Sequence, residues 1–268
     1  MNMQGKYCYE YPHAAMTADC VIFGFDGREL KVLLIERGLP PHKGMWALPG
    51  GFMRIDETIE TTANRELFEE TGLTHIYMTQ FRVYSEVNRD PRERVVTVAF
   101  IALVRPDDYR LIAGDDAADA RWFRADMLPP LAFDHAGIVA EAREHLSETL
   151  RIKPVAFELL NKTFTMSELQ RVYEAINNTT YDRRNFTRKA LQTGMIQEIE
   201  PQTGSFDECN NPTFARFPLN ERSSMPMEDI RNGTSAPRAR SKRKFFSWRP
   251  RPKDKNKDDD SIKDIFNF

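Results

Sequence analysis

Apolar positions along the first half of the chain fall into short runs whose spacing separates strands from helices. Residues 18–25 (ADCVIFGF) and 30–35 (LKVLLI) are β-rich runs joined by Asp26-Gly27, a dipeptide that favours a hairpin turn. Residues 77–87 and 94–104 read as two further strands. The second, RVVTVAFIALV, is nearly continuous in β-branched and apolar residues, as a central strand requires. Residues 120–123 read as a closing strand. Elsewhere the apolar period becomes that of a helix. Ile59, Ala63 and Leu67 recur every four residues and predict a helix from about Thr58 to Thr71; Ile138, Ala142 and Leu146 predict another over 137–150. Strands interleaved with amphipathic helices predict an α/β domain over residues 1–150.

The pattern shifts near Lys153-Pro154. Residues 154–160 read as the start of a short helix. Thr165-Met-Ser-Glu168 is a capping box opening a helix to about Asn177, with Leu169, Val172, Tyr173 and Ile176 inward. A turn over 178–181 leads to Asp182, the N-cap of a second helix ending at Gly194. Residues 195–200 and 215–219 are expected to pair as a β-hairpin. Helix, turn, helix and hairpin describe a winged helix-turn-helix domain over 151–222. From Ser223 onward no periodicity survives, and residues 223–268 are expected to be a disordered polybasic tail. Between Arg238 and Lys257 it holds ten Lys/Arg and one acid, Asp254, with Phe245, Phe246 and Trp248 interleaved. That composition suits nucleic acid or an anionic lipid surface, and equally a solubilising extension.

Composition narrows the classes. Across 268 residues the net charge is −2, so partner preference must come from local clusters. Cys8, Cys20 and Cys209 lack metal-ligand spacing and fit reduced thiols. The first residues, MNMQGKYCYEYPH, contain no apolar core of a signal peptide. The longest apolar run, 95–104, is too short to span a bilayer. A soluble, cytoplasmic protein is the expectation.

The sharpest chemical signal is on the first helix. Glu66, Glu69 and Glu70 stand at i, i+3 and i+4, within roughly a quarter of the helix circumference. Like charges at this spacing repel by about 0.2–0.5 kcal/mol per pair. They also sit beside the negative end of the helix dipole, which adds ~0.3–1 kcal/mol. A helix tuned for stability alone would place Lys or Arg there. Clustered carboxylate oxygens suit a hard divalent cation, with phosphate or water completing its shell. A solvated acidic face would account for Glu60 but poorly for the triple cluster. Pro49-Gly50-Gly51, just before, lets backbone approach a ligand closely.

These residues resemble the Nudix box, G-x5-E-x7-R-E-U-x-E-E-x-G-U with U a bulky aliphatic. The matches are Gly51, Glu57, Arg65, Glu66, Leu67, Glu69, Glu70, Gly72 and Leu73. Seven fixed letters recur by chance on the order of once in 10⁸ start positions. The resemblance implies a Nudix α/β/α sandwich with a mixed sheet. It implies Mg²⁺ or Mn²⁺ held by Glu66, Glu69 and Glu70 with the Gly50 carbonyl, and Glu57 and Arg65 bracing the loop as an ion pair. It also implies cleavage of a nucleoside diphosphate-linked substrate of the ADP-ribose type. Arg37 is a candidate for a substrate phosphate, and Arg92 and Arg94 are others, with a solvated surface turn as the plain alternative. Trp46 could stack on a base or belong to the core. Asp115 or Asp116 could add a carboxylate or simply end a loop. His135 is expected to cap or brace the 137–150 helix.

The second helix after the domain boundary carries Arg183, Arg184, Arg188 and Lys189, two of them in its first turn. Cations at that end oppose the dipole unless phosphate is nearby. Such placement suits contact with double-stranded DNA. Residues 153–196, together with LAFDH at 131–135, resemble the Nudix-related transcriptional regulators, and that likeness extends over about 15–220. In these a Nudix domain senses a nucleotide-sugar or sugar effector, and a winged helix binds an operator as a homodimer. Many of them have a degraded box, whereas every letter is kept here, which favours retained hydrolysis. Two readings follow: a hydrolase fused to a winged helix, and a regulator whose Nudix domain binds an effector without turnover.

Overall fold

Asp26 shapes the first hairpin. Its Oδ1 accepts from the backbone N–H groups of Arg28 and Glu29 at 3.0 and 2.9 Å, and Gly27 takes φ +88°. The computed structural model describes residues 10–112, 117–199 and 244–248. In it this turn joins β1 (Ala15–Phe25) antiparallel to β2 (Leu30–Arg37). Two short strands, β3 (Trp46–Ala47) and β4 (Gly50–Phe52), occupy the stretch read from sequence only as a lead into the helix. Then come α1 (Ile59–Thr71), β5 (Thr79–Tyr84), β6 (Val95–Val104), β7 (Ala117–Arg124) and α2 (His135–Ile152). β5 is shorter than its apolar run and carries a bulge between Gln80 and Arg82.

β1 lies at the centre of the sheet, parallel to β6 on one side and antiparallel to β2 on the other. β4 also pairs with β1, β3 and β7 pair with β2, and β5 pairs with β6, giving seven strands in a mixed sheet. Alternation along β1 assigns its two faces. Ala18, Cys20 and Ile22 pack with Ala63 and Leu67 of α1. Val21, Phe23 and Phe25 pack with Ile138, Ala142 and Leu146 of α2. The sheet is therefore layered between helices, as expected. Cys20 is buried with its thiol against the Ala63 carbonyl; Cys8 and Cys209 lie outside the described residues.

Beyond α2 come β8 (Thr163–Thr165), α3 (Met166–Asn177), α4 (Arg183–Gln192) and β9 (Ile196–Ile199). The capping box is present with both its bonds: Thr165 N–H donates to Glu168 Oε2 at 2.6 Å, and Thr165 Oγ1 accepts from Glu168 N–H at 3.3 Å. Asp182 caps α4 by accepting from Asn185 N–H at 2.8 Å. Leu169, Val172, Tyr173 and Ile176 are all buried, and they share one continuous apolar cluster with α2 and β1. Arg143 of α2 donates to the carbonyls of Ala175 and Ile176, and Arg171 of α3 to that of Gly27. The two units are thus packed on each other.

One expectation is corrected here. β9 pairs with β10 (Phe245–Trp248), a segment expected to belong to a disordered tail. Its apolar side chains can be buried between strands that local sequence could not identify as neighbours. Residues 215–219, the expected partner of β9, lie outside the described residues, as do 223–243 and 249–268. Among the described residues no helix is long and apolar enough to cross a membrane.

Candidate active site

α1 begins at Thr58, whose Oγ1 accepts from Thr61 N–H at 3.2 Å, and ends at Gly72, whose φ of +74° suits glycine. Burial of Ala63 and Leu67 fixes the rotation of the helix and so decides where each glutamate points. Glu70 turns inward and is 8% exposed; its Oε2 accepts from Gly50 N–H at 2.8 Å. Burial pushes its carboxyl up to about 8, and the charges of Glu66 and Asp19 add to this against the Gly50 hydrogen bond. Glu66 lies against Gly51 so closely that a Cβ there would come within 2.5 Å of its carboxyl carbon. A side chain there would displace the Glu66 carboxylate. Burial raises the Glu66 carboxyl too, opposed by Arg65. Glu69 is at the rim, half-exposed, beside Arg54 at 3.5 Å.

Two of the three carboxylates, Glu66 and Glu69, are not left without a cation, as their spacing alone suggested. Arg65 Nη1 reaches Glu66 Oε1 at 2.6 Å and Glu69 Oε2 at 2.9 Å. The same guanidinium grips Glu57 through Nε and Nη2, at 2.6 and 2.9 Å, and donates to the Phe52 carbonyl at 3.0 Å. That bidentate pair holds the Glu57 carboxyl down at about 2 and ties the loop to the helix. Arg65 is about one turn or less from Glu66 and Glu69, so it does for these two the neutralising that the last turn lacks. Among the described residues no group of three or more His, Cys, Asp or Glu stands ready-made for a metal ion. Gly50 shows its amide to Glu70, while the Glu66 and Glu70 carboxylates converge on the Gly50-Gly51 backbone.

A pocket opens over this backbone, and its walls come from distant parts of the chain. Arg37 and Arg92, both expected from sequence, line it. The Arg37 guanidinium stacks 4.9 Å from the Phe133 ring centre, with its Nε donating to the Pro41 carbonyl at 2.9 Å. Burial, then the nearby Arg92, push it below its ordinary value. Arg92 lies over the Phe52 ring at 4.8 Å and is held by buried Asp90 through two bonds of 3.0 and 2.7 Å. Arg94 turns away to the Glu86 carbonyl. Trp46 packs edge-on against Phe123, so it belongs with the core. Asp115 and Asp116 lie outside the described residues.

Four pocket residues were missed or undervalued. Asp19 is 6% exposed at the centre of β1. It meets Arg89 at 3.3 Å, and Arg89 is held bidentately by Asp134 at 2.9 and 2.7 Å. A charged residue inside ADCVIFGF was the available signal, since an ionised side chain in a buried strand needs a partner. His135, expected to brace α2, instead accepts from Leu48 N–H through Nδ1 at 2.9 Å. Burial lowers its pKa, which keeps the ring neutral and puts its proton on Nε2, facing Asp19 Oδ1 at 3.8 Å. Thr17 also lines the pocket, and its Oγ1 is buried with no hydrogen-bond partner among the described residues.

On the other unit, Arg183, Arg184 and Arg188 are exposed along α4, with Lys189 half-buried. Phe186 and Ala190 face inward, and the Phe186 ring packs edge-on against Tyr173 of α3 at 5.5 Å. The cationic face of α4 therefore points away from the core.

Residues 13–142 match the NUDIX domain and residues 156–205 the NrtR DNA-binding winged helix domain. The chain is 32% identical over 194 residues to the ADPR responsive transcriptional repressor NtrR of Acinetobacter baylyi, covering 71% of this chain and 78% of that protein. It is 42% identical over 131 residues to an ADP-ribose pyrophosphatase of Methanocaldococcus jannaschii, covering 49% and 74% respectively. The solved structure of Shewanella oneidensis NrtR complexed with a 27mer DNA aligns at a TM-score of 0.57 and 30% identity, covering 70% of this chain and 89% of that one. With both domain matches, and 32% identity to that repressor over 71% of the chain, the chain belongs to the NrtR family, a Nudix domain followed by an NrtR-type DNA-binding winged helix.

Proposed function

We propose that the Nudix unit binds a nucleoside diphosphate of the ADP-ribose type and cleaves its pyrophosphate, and that the winged helix binds double-stranded DNA in the cytoplasm. The observation that carries the first part is a pocket lined by Arg37, Arg89 and Arg92 with two aromatic rings, and by the Gly50-Gly51 backbone. Against that backbone Glu66 and Glu70 form an acidic wall. An anionic diphosphate linked to flat or sugar groups suits the arginines of this pocket.

The acidic wall suits a hard divalent cation. Burial first, then the charges of Glu66 and Asp19, raise the Glu70 carboxyl to about 8, so a cation at this spot would favour its ionised form. Glu66, Glu69, Glu70 and the Gly50 carbonyl are the groups that would hold Mg²⁺ or Mn²⁺. When bound, the metal neutralises pyrophosphate charge and lowers the pKa of an attacking water. The protein's own share is positioning. Arg37 and Arg92 orient the diphosphate, Asp90 fixes the fork of Arg92, and the Thr17 hydroxyl offers a hydrogen bond. A carboxylate of the acidic wall takes the proton from water. Orientation and charge complementarity are sufficient, with no covalent intermediate.

A second reading is supported by Arg65. Because it engages both Glu66 and Glu69, a cation must compete with a guanidinium for them, which suits a site that binds an effector more readily than it turns it over. The relative named as an ADPR responsive repressor favours the same reading. The two are separated by incubating purified protein with ADP-ribose and Mg²⁺ or Mn²⁺. AMP release supports the hydrolase. Calorimetric binding without product, across nucleotide sugars and dinucleotides, supports the sensor.

A further inference from the structure

The small sheet of the winged helix has an order that its sequence does not suggest. β10 lies between β8 and β9 and pairs antiparallel with both. Phe246 faces Phe164 on one side and Glu198 on the other, and Ser247 faces Thr163 and Gln197. Phe246 is 4% exposed, within the apolar cluster that holds Phe164, Met166 and Ile196. Trp248 stacks at an angle 6.1 Å from Phe157. Lys244 Nζ reaches both carboxylate oxygens of Glu198, at 3.0 and 2.9 Å.

A central strand serves two ladders at once, and β8 and β9 are only three and four residues long. Without β10 each would lose its neighbour, and strands this short do not persist alone. β9 in turn packs on α4, the helix with the exposed arginines. The match to the winged helix domain stops at residue 205, so this strand is supplied from beyond it.

We propose that the C-terminal extension is a working part of the DNA-binding module: β10 completes the wing beside α4, and DNA binding depends on it. This rests on the DNA-binding reading above. Polybasic sequence alone would let the segment bind DNA as a free tail; a strand buried between two others ties that binding to folding of the wing.

The test uses the full chain. Phe246→Asp puts a charge into the apolar cluster. Ser247→Pro removes a backbone donor from a strand paired on both sides. Phe246→Leu keeps an apolar side chain of similar burial. Amide exchange across 163–165 and 196–199, ADP-ribose binding, and titration against a duplex from upstream of its own gene are measured for each. Phe246→Asp and Ser247→Pro should lose amide protection in β8 and β9 together and weaken DNA binding at least ten-fold, with ADP-ribose binding unchanged. Phe246→Leu should behave as wild type. Wild-type protection of β9 in either disruptive variant overturns the placement of the strand. Wild-type DNA affinity in both, alongside lost protection, overturns its functional role. A wild-type chain that binds no duplex while its variants lose protection defeats the DNA-binding reading itself and leaves the strand in place.

Discussion

Replacing Glu70 by Gln should stabilise the metal-free fold and remove its response to divalent cations. The carboxyl is 8% exposed, and its ordinary value of 4.5 is raised to about 8, by burial first and then by Glu66 and Asp19. The sign follows from the raised value in an acid. The folded protein keeps a proton that the unfolded chain releases above pH 4.5, so stability falls as pH rises from 4.5 towards 8. At ~1.4 kcal/mol per pH unit, the cost at neutral pH is roughly 3 kcal/mol. The amide of Gln retains an oxygen for Gly50 N–H and carries no charge, so most of this cost disappears. For a chain of this size that is a rise in Tm of about 6–12 °C. Thermal unfolding with a chelator, at several values between pH 4.5 and 8, should show a falling Tm for the wild type and a flat one for Glu70→Gln. Adding Mg²⁺ should then raise the wild-type Tm, since a ligand of the native state stabilises it, and leave the variant unmoved. A metal-free variant that melts at or below the wild type, or one that gains equally from Mg²⁺, refutes this account of Glu70.

Thr17→Val removes a buried hydroxyl with no partner among the described residues, so the apo fold should be unchanged or up to ~1 kcal/mol more stable. Calorimetry should nonetheless find ADP-ribose bound more weakly, by about 0.5–1.5 kcal/mol, because the ligand loses a hydrogen bond. Arg65 holds the Glu57 carboxyl at about 2 against an ordinary 4.5, so that pair stabilises the fold above pH 4.5 and is lost as pH falls towards 2. In Glu57→Gln the acid limb of a pH–stability curve should flatten across that window; an unchanged limb would mean the pair contributes nothing to folding. Arg183→Ala with Arg184→Ala, in the full chain so that β10 is kept, should reduce the salt slope of DNA binding by roughly two and spare ADP-ribose binding. An unaltered slope would remove the first turn of α4 from the DNA interface.

What the sequence determined by itself was whatever depends on near neighbours. The helix read from about Thr58 to Thr71, the capping box at Thr165 and the Asp182 cap are all set within a turn or two of chain, and all stand where periodicity and cap chemistry placed them. The box from Gly51 to Leu73 was legible for the same reason, since α1 and the loop before it are one local unit. The glutamates' charge balance was harder to read, although Arg65 lies beside them, because a side chain's reach depends on which face the core buries. Only the tertiary structure could join Asp19, Arg89 and Asp134, or bring Leu48 to His135, residues 87 positions apart. These contacts form when strands distant in sequence become neighbours in the sheet, and no local periodicity encodes that adjacency. The same holds most strongly for Phe245–Trp248. Four residues set among Lys and Arg read as an unstructured tail until β8 and β9 offer two open edges and an apolar face, which turn a short aromatic run into the middle of a sheet.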